Sequence, residues 1–349
     1  MKSSRLLFGV SLVLISGCTR PFPVRPGESL TYARCEVPIP PDGAGYDRTL
    51  QVRWLGTTCH LIQLGDVAVL TDPYFSHFRP TRMAFGKIVS DTQSVHRFTN
   101  DLPRPQAIFV GHAHYDHMFD LAETLRQRDW RGTPVYGGPT MANIAAGYGE
   151  RIEGDCRVPQ VGPDWVEIDG PRLAYRAFPA QHAPHLPGVF FFPGEVTAPR
   201  TTPPTRARHF PVGETFAYLF RLRGNDQSEF TVFINDAATD GTVGIPDDLP
   251  HGVDVAIFCV PGWKNVDDYP AEAIRRLRPR VIVLSHLDNF LQDGWEKREL
   301  VATASLRRFL DKARAACTSD LRSLDADNGL SQFGRGYAST FGYRDRRSE

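Results

Sequence analysis

Five apolar runs in this 349-residue chain end on, or just short of, an aspartate or a histidine. VAVLTD ends at Asp72, AIFVGH at His112, FTVFIND at Asp236 and RVIVLSH at His286, while RLAYRAFPAQH reaches His182 just past its run. Runs of this length and β-branched content read as strands. Polar side chains at the ends of several strands converge on one mouth of a sheet, where ligand sites form. One such residue is explained as a turn or a cap; five at the same kind of position ask for another reason. The run ending at His112 adds a cluster. Residues 108–120, IFVGHAHYDHMFD, place His112, His114, Asp116 and His117 within six positions of a chain holding only 11 histidines. A sixth run, DVAIFCVPG, ends in Pro261-Gly262-Trp263 and offers nothing to a metal.

The order of elements limits the architecture. QVRWLG, CHLIQLG and VAVLTDP read as a strand meander, AIFVGH as a buried strand, and MFDLAETLRQRD as an amphipathic helix. PVYGG reads as a short strand and PTMANIAAGYG as a helix with a glycine stop. WVEID, RLAYRAFPA, ETFAYLFRLRG and FTVFIND continue the strands. DVAIFCVPG and RVIVLSH flank the helix PAEAIRRLR, and ELVATASLRRFLDKARAAC closes the core as a helix. Strands first and alternation later point to an α+β chain, a mixed sandwich with helices outside, over a doubly wound parallel sheet.

Residues 1–17 read as a signal peptide: Lys2 and Arg5 precede LLFGVSLVLIS, an apolar stretch too short to span a bilayer comfortably. The stretch Ile15-Ser16-Gly17-Cys18 resembles the bacterial lipobox, which implies cleavage before Cys18 and acylation of its thiol, palmitate being one such chain. Lipid on Cys18 would anchor the protein to a membrane without a spanning helix. Thr19, where inner-membrane retention uses aspartate, directs the expectation to the outer membrane, facing the periplasm. Residues 18–48 are rich in proline and glycine and read as a tether, 49–318 as the folded domain, and 319–349 as a C-terminal tail. Of the remaining cysteines, Cys59 and Cys259 sit in apolar runs and read as small hydrophobes. Cys35, Cys156 and Cys317 are the disulfide candidates, with no basis for choosing a pair.

Lys plus Arg and Asp plus Glu each number 40, so formal net charge is zero and no basic surplus marks a nucleic-acid partner. No G-x-S-x-G elbow and no glycine-rich phosphate loop occurs. The insertion PGEVTAPRTTPPTRARHFPVGE, residues 193–214, is the longest turn-rich stretch and reads as a lid. Its Arg206, Arg208 and His209 are either a solvated loop or a grip for an anion, since arginine forks match phosphate oxygens.

HAHYDH matches the HxHxDH signature of the metallo-β-lactamase fold hydrolases. With it, Asp72, the cluster His112-His114-Asp116-His117, His182, Asp236 and His286 resemble that superfamily's five motifs in order, over roughly residues 49–318. WLG, LTDPYFS and PAQH resemble the branch holding ascorbate-phosphate lactonase-like proteins and N-acyl phosphatidylethanolamine phospholipase D. Two departures stand out: Thr57 where that branch carries a histidine after WLG, and HLDNF where it reads HWGTF.

The resemblance implies a four-layer αβ/βα sandwich and two divalent ions, zinc by the donor types, with manganese or iron accepting similar sets. His112, His114 and His182 would hold one ion, Asp116, His117 and His286 the other, and Asp236 would bridge them. Asp116 and Asp236 would serve catalysis, and Asp72 would orient a ligand histidine through its other ring nitrogen. His185 rivals His182, which the PAQH likeness favours, and is then expected to line the pocket. His60, His77 and His96 read as structural or surface residues.

The implied chemistry is attack by a hydroxide shared between the ions on an ester, lactone or phosphodiester of a small-molecule or lipid-like substrate. The branch likeness and the basic insertion tilt the expectation to a phosphodiester, and away from β-lactams. Iron-dependent redox or thiol chemistry on the same fold, and a non-catalytic metal-stabilised envelope lipoprotein, are the alternatives.

Overall fold

The computed structural model describes residues 20–21, 33–35, 49–152, 156–225, 227–293, 299–301, 305–317, 321–323 and 337–342. The expected signal peptide and Cys18 lie outside them, as does the side chain of Cys35. Two sheets dominate. The first runs in the order β17 (Tyr337–Gly342), β3 (Thr49–Gly56), β4 (Cys59–Leu64), β5 (Val67–Thr71), β6 (Ala107–Phe109), β7 (Val135–Tyr136) and β8 (Cys156–Arg157). It is antiparallel from β17 to β5 and parallel from β5 to β8.

The second runs β16 (Leu321–Ser323), β2 (Ala33–Cys35), β14 (Val281–Ser285), β13 (Val255–Cys259), β12 (Glu229–Asn235), β11 (Thr215–Arg223), β10 (Leu173–Ala180) and β9 (Val166–Glu167). Here β9 to β12 are antiparallel and β12 to β14 parallel. A short pair, β1 (Arg20–Pro21) with β15 (Glu299–Leu300), stands apart.

The layering follows from the period-two alternation of strands. Val67 and Val69 of β5 enter the core between the sheets, while Ala68 and Leu70 face the other way, under the helices. Val255 and Ile257 of β13 likewise join the inter-sheet core, and Ala256 and Phe258 the outer one. Both faces are covered, which is why these strands read as unbroken apolar runs.

Helices α1 (Pro80–Phe85), α2 (Thr92–Thr99), α3 (Tyr115–Met118), α4 (Leu121–Gln127) and α5 (Pro139–Ala145) follow strands of the first sheet, and α6 (Ala271–Leu277) and α7 (Leu306–Ala316) cover the second. This is the four-layer αβ/βα sandwich. Phe109, at the end of β6, sits in an aromatic nest with Tyr136, Tyr175, Tyr218 and Phe220, at centroid distances of 4.8 to 5.2 Å. That packing fixes the strand end from which the histidine cluster departs.

Several expectations are corrected. The region before the cluster holds two helices that the sequence reading did not anticipate; Asp91 caps the second, accepting from Gln93 N and Ser94 N. The closing helix begins only at Leu306, because Glu299–Leu300 is extended and paired. Ala33–Cys35, inside the expected tether, pairs with β14 and β16, and residues 321–323 and 337–342, inside the expected tail, add edge strands. Extended segments with little apolar character complete sheets through backbone hydrogen bonds, which hydropathy does not register.

Candidate metal centre

The parallel strands deliver their polar ends to one place. Asp72 follows β5 directly, Asp236 follows β12 and His286 follows β14, while His112 lies three residues past β6 and His182 two past β10. Both Asp72 (φ 39°) and His286 (φ 62°) take the left-handed conformation, turning the chain sharply at the strand end. His114 precedes α3, and the first turn of that helix carries Asp116 and His117 inward. All of these except His182 are buried.

The side chains fall into three linked groups: His112, His114 and His182; His112, His117 and Asp236; Asp116, His117 and His286. Within each, one ligand atom per residue lies within 4.8 Å of the others. His112 Nε2 and His114 Nδ1 are 3.0 Å apart. Two tetrahedral ligands at about 2.0–2.1 Å from one ion would be roughly 3.3–3.4 Å apart. His182 Nδ1 donates to the Ala183 carbonyl at 2.6 Å, which leaves Nε2 as its lone-pair nitrogen.

In the other group Asp116 Oδ2 lies 3.4 Å from His286 Nε2 and 4.0 Å from His117 Nε2. Asp236 stands between the groups: its Oδ2 is 3.1 Å from both His112 Nδ1 and His117 Nδ1. His114 Nε2, Asp236 Oδ1 and His286 Nδ1 are buried without a hydrogen-bond partner. Buried polar atoms are seldom left so, and a set of imidazoles and carboxylates with unmet donors and acceptors fits divalent ions.

Electrostatics follow burial and proximity. Burial, together with the Asp236 charge, pushes the Asp72 carboxyl up to about 7. Burial works against ionised Asp236 and Asp116 too, but histidines outweigh it: His112 and His117 beside Asp236, and His286 and His117 beside Asp116, hold both below the usual carboxylate range. Burial also lowers His185 to about 4. Asp72 Oδ1 accepts from Gly111 N at 2.9 Å and its Oδ2 lies 3.7 Å from His117 Nδ1. Thr58 Oγ1 is closer to the same nitrogen, at 3.0 Å.

Beside the cluster opens a cavity of about 850 Å³, its mouth included, with His114, Asp116, His182, His185, Asp236 and His286 on one wall. The His185 ring stacks on that of His182, with centroids 4.7 Å apart. Phe191 N donates to His185 Nδ1 at 3.2 Å, so the neutral ring carries its proton on Nε2.

Arg206, Arg208 and His209 do not line this cavity. Arg206 donates to the Phe85 carbonyl at 2.7 Å, and Thr205 N donates to His209 Nδ1 at 3.4 Å. The insertion packs instead as a wall, with Val212 N bonded to Phe192 O and Arg200 N to Asn143 O. Of the two readings of this stretch, these contacts favour the solvated loop: Arg206 turns to the Phe85 carbonyl and Arg208 is exposed.

Four further residues shape the site. Gly111 touches Asp236, where a Cβ would stand 1.9 Å from Oδ2, and a glycine at a strand end is a signal for such close approach. Thr58 gave no signal. The other two are the departures noted above, and they meet. Thr57 N donates to Asp288 Oδ1 at 2.9 Å and Thr57 Oγ1 lies 3.3 Å from Asp288 Oδ2. His77 Nε2 is 3.3 Å from the same Oδ2, so this histidine joins the network behind the site. Thr57 (φ 46°) accepts from His286 N at 2.8 Å, which clamps one left-handed residue to another.

Asp288→Ala is therefore expected to cost about 1.5–3 kcal/mol, one charge-assisted hydrogen bond, and to loosen His286. Urea unfolding and elemental analysis should show a lower midpoint and a metal ratio falling towards one per chain. Two tightly held ions in the variant would show that the clamp does not set His286.

Residues 68–224 match the Beta-lactamase superfamily domain, a span that takes in Asp72, the histidine cluster and His182. A metal-dependent hydrolase of the UPF0173 group from Saccharolobus solfataricus is 29% identical over 126 residues, which cover 36% of this chain and 48% of that protein. The chain thus spans about half the length of that curated relative. Among solved structures, Igni18, a metallo hydrolase from Ignicoccus hospitalis, superposes with a TM-score of 0.51 at 15% identity, covering 85% of this chain and 100% of the other. The chain has the metallo-β-lactamase fold. The donors described above lie at the mouth between its two sheets.

Proposed function

We propose that the protein is a metal-dependent hydrolase that cleaves an ester, lactone or phosphodiester bond with water. The observation that supports this most is the linked donor set, in which His112, His117 and Asp236 join two adjoining three-residue groups. Ions bound there, zinc by donor type, would polarise the scissile group and lower the pKa of the attacking water.

The chain's residues supply the rest. His112, His114 and His182 would hold one ion and Asp116, His117 and His286 the other, with the Asp236 carboxylate beside the His112 and His117 rings that belong to the two groups. Asp72 and Thr58 keep the His117 ring turned with Nε2 towards Asp116. Asp116, held ionised by its histidine neighbours, would accept a proton from the attacking water on a carboxylate oxygen. It would return that proton to the leaving alcohol as the C–O or P–O bond breaks. His185 Nε2–H is a neutral donor for a substrate oxygen at the cavity wall.

A screen of purified, metal-loaded protein against matched acyl esters, lactones and phosphodiesters tests the reading, with metal content measured on the same samples. Two bound ions and turnover of one class are expected; two ions with no turnover of any would sink it.

The ISGC motif supports a further part of the proposal, that Cys18 carries lipid and holds the enzyme to the outer membrane. No helix among the described residues is long and apolar enough to cross a membrane. Cys18→Ser is expected to leave uncleaved precursor in the membrane fraction and to abolish palmitate labelling. A variant cut and released like the wild type would show that ISGC is not a lipobox.

A further inference from the structure

The wall of the cavity facing the metal centre is apolar. Met83 of α1, Phe191 and Phe192 before the insertion, Phe290 and Leu291 after His286, and Val301 make it up. Among the described residues that line it there is neither lysine nor arginine. Among the described lining residues the carboxylates are Asp116 and Asp236, both part of the candidate metal centre. Apolar character continues outward: Phe190, next to the lining pair, is 44% exposed, and Phe85, two residues from Met83, is 67% exposed.

We propose that the substrate carries a long uncharged apolar arm, seated against Met83, Phe192 and Leu291, with the scissile bond presented to the histidines. This rests on the hydrolase reading and names its substrate class. A charged arm would lose its hydration against these side chains and find no basic partner among the described lining residues. Each buried methylene, by contrast, gains in proportion to the area removed from water, about fourfold in binding per methylene. The arm belongs either to a soluble ester or to one drawn from a bilayer, and the chemistry of the wall is the same for both.

The test uses the full chain and two independent readouts. The first is binding of the uncharged fluorophore N-phenyl-1-naphthylamine, which needs neither metal nor catalysis. Leu291→Asp and Phe192→Asp, at half-buried positions that tolerate a polar group, are expected to weaken it about tenfold or more, with circular dichroism unchanged. The second is kcat/KM for 4-nitrophenyl butyrate, hexanoate and octanoate. It should rise at each step, and drop at least tenfold when the octanoyl chain ends in a carboxylate.

A flat chain-length series, or fluorophore binding untouched by both variants, would overturn the proposal. Fluorophore binding lost in the variants, with no ester, lactone or phosphodiester cleaved by the metal-loaded wild type, would sink the hydrolase reading and leave the apolar site standing. Cleavage of 4-nitrophenyl palmitate only in phosphatidylcholine vesicles would support a bilayer source; equal efficiency on octanoate in buffer would support a soluble one.

Discussion

Asp236→Ala is expected to leave the chain folded but unable to retain two divalent ions through dialysis, with metal affinity falling about 10²–10⁴-fold. The magnitude comes from the cost of removing one partner of a buried charged pair, roughly 3–5 kcal/mol, at about 1.4 kcal/mol for each tenfold. Asp236 Oδ2 is within 3.1 Å of a ring nitrogen on both His112 and His117, so one truncation disturbs both groups. His112→Ala should act similarly, because His112 belongs to two of the three ligand groups. Both should abolish hydrolysis. His209→Ala, outside the cavity, should keep both ions. Elemental analysis after dialysis reads the result, and full metal content in the Asp236 and His112 variants would remove the dinuclear reading.

How far the site could be read beforehand depended on backbone direction. A residue at the end of a parallel strand has its position set by the strand, and the strand shows as an apolar run. The strand-end places of Asp72, Asp236 and His286 were legible for that reason, and the HAHYDH spacing marked the candidate donors on α3. The sandwich was legible from the same runs, since strands buried on both faces lose their alternation. Contacts between residues distant in sequence were not. Thr57 and Asp288 are 231 positions apart, and neither has a local pattern that announces a partner. Arg206 and Arg208 stayed open for the opposite reason: two arginines in a long loop allow a grip on an anion or a solvated loop, and a loop's path is not written in its composition. The apolar wall was hidden because its members come from four separate segments, each unremarkable alone.

Gly111→Ala is expected to mimic the loss of Asp236 without touching a ligand. An added Cβ would stand 1.9 Å from Asp236 Oδ2, 2.2 Å from Cγ and 2.5 Å from Oδ1, far inside contact distance. Gly111 itself is held on both sides, its N–H by Asp72 Oδ1 and its carbonyl by Phe216 N. The strand end therefore resists moving, and the short Asp236 side chain is the part that must swing away from His112 and His117. Overpacking of this kind typically costs about 1–3 kcal/mol. The larger consequence is for metal: a carboxylate turned away from both ligand groups should lower affinity by an amount close to that of Asp236→Ala. A double-mutant cycle separates this from general damage. If the clash is with the carboxylate, Gly111→Ala should cost much less stability in an Asp236→Gly background, where nothing is left for the Cβ to strike. Equal costs in both backgrounds would place the strain in the backbone and detach Gly111 from the metal centre.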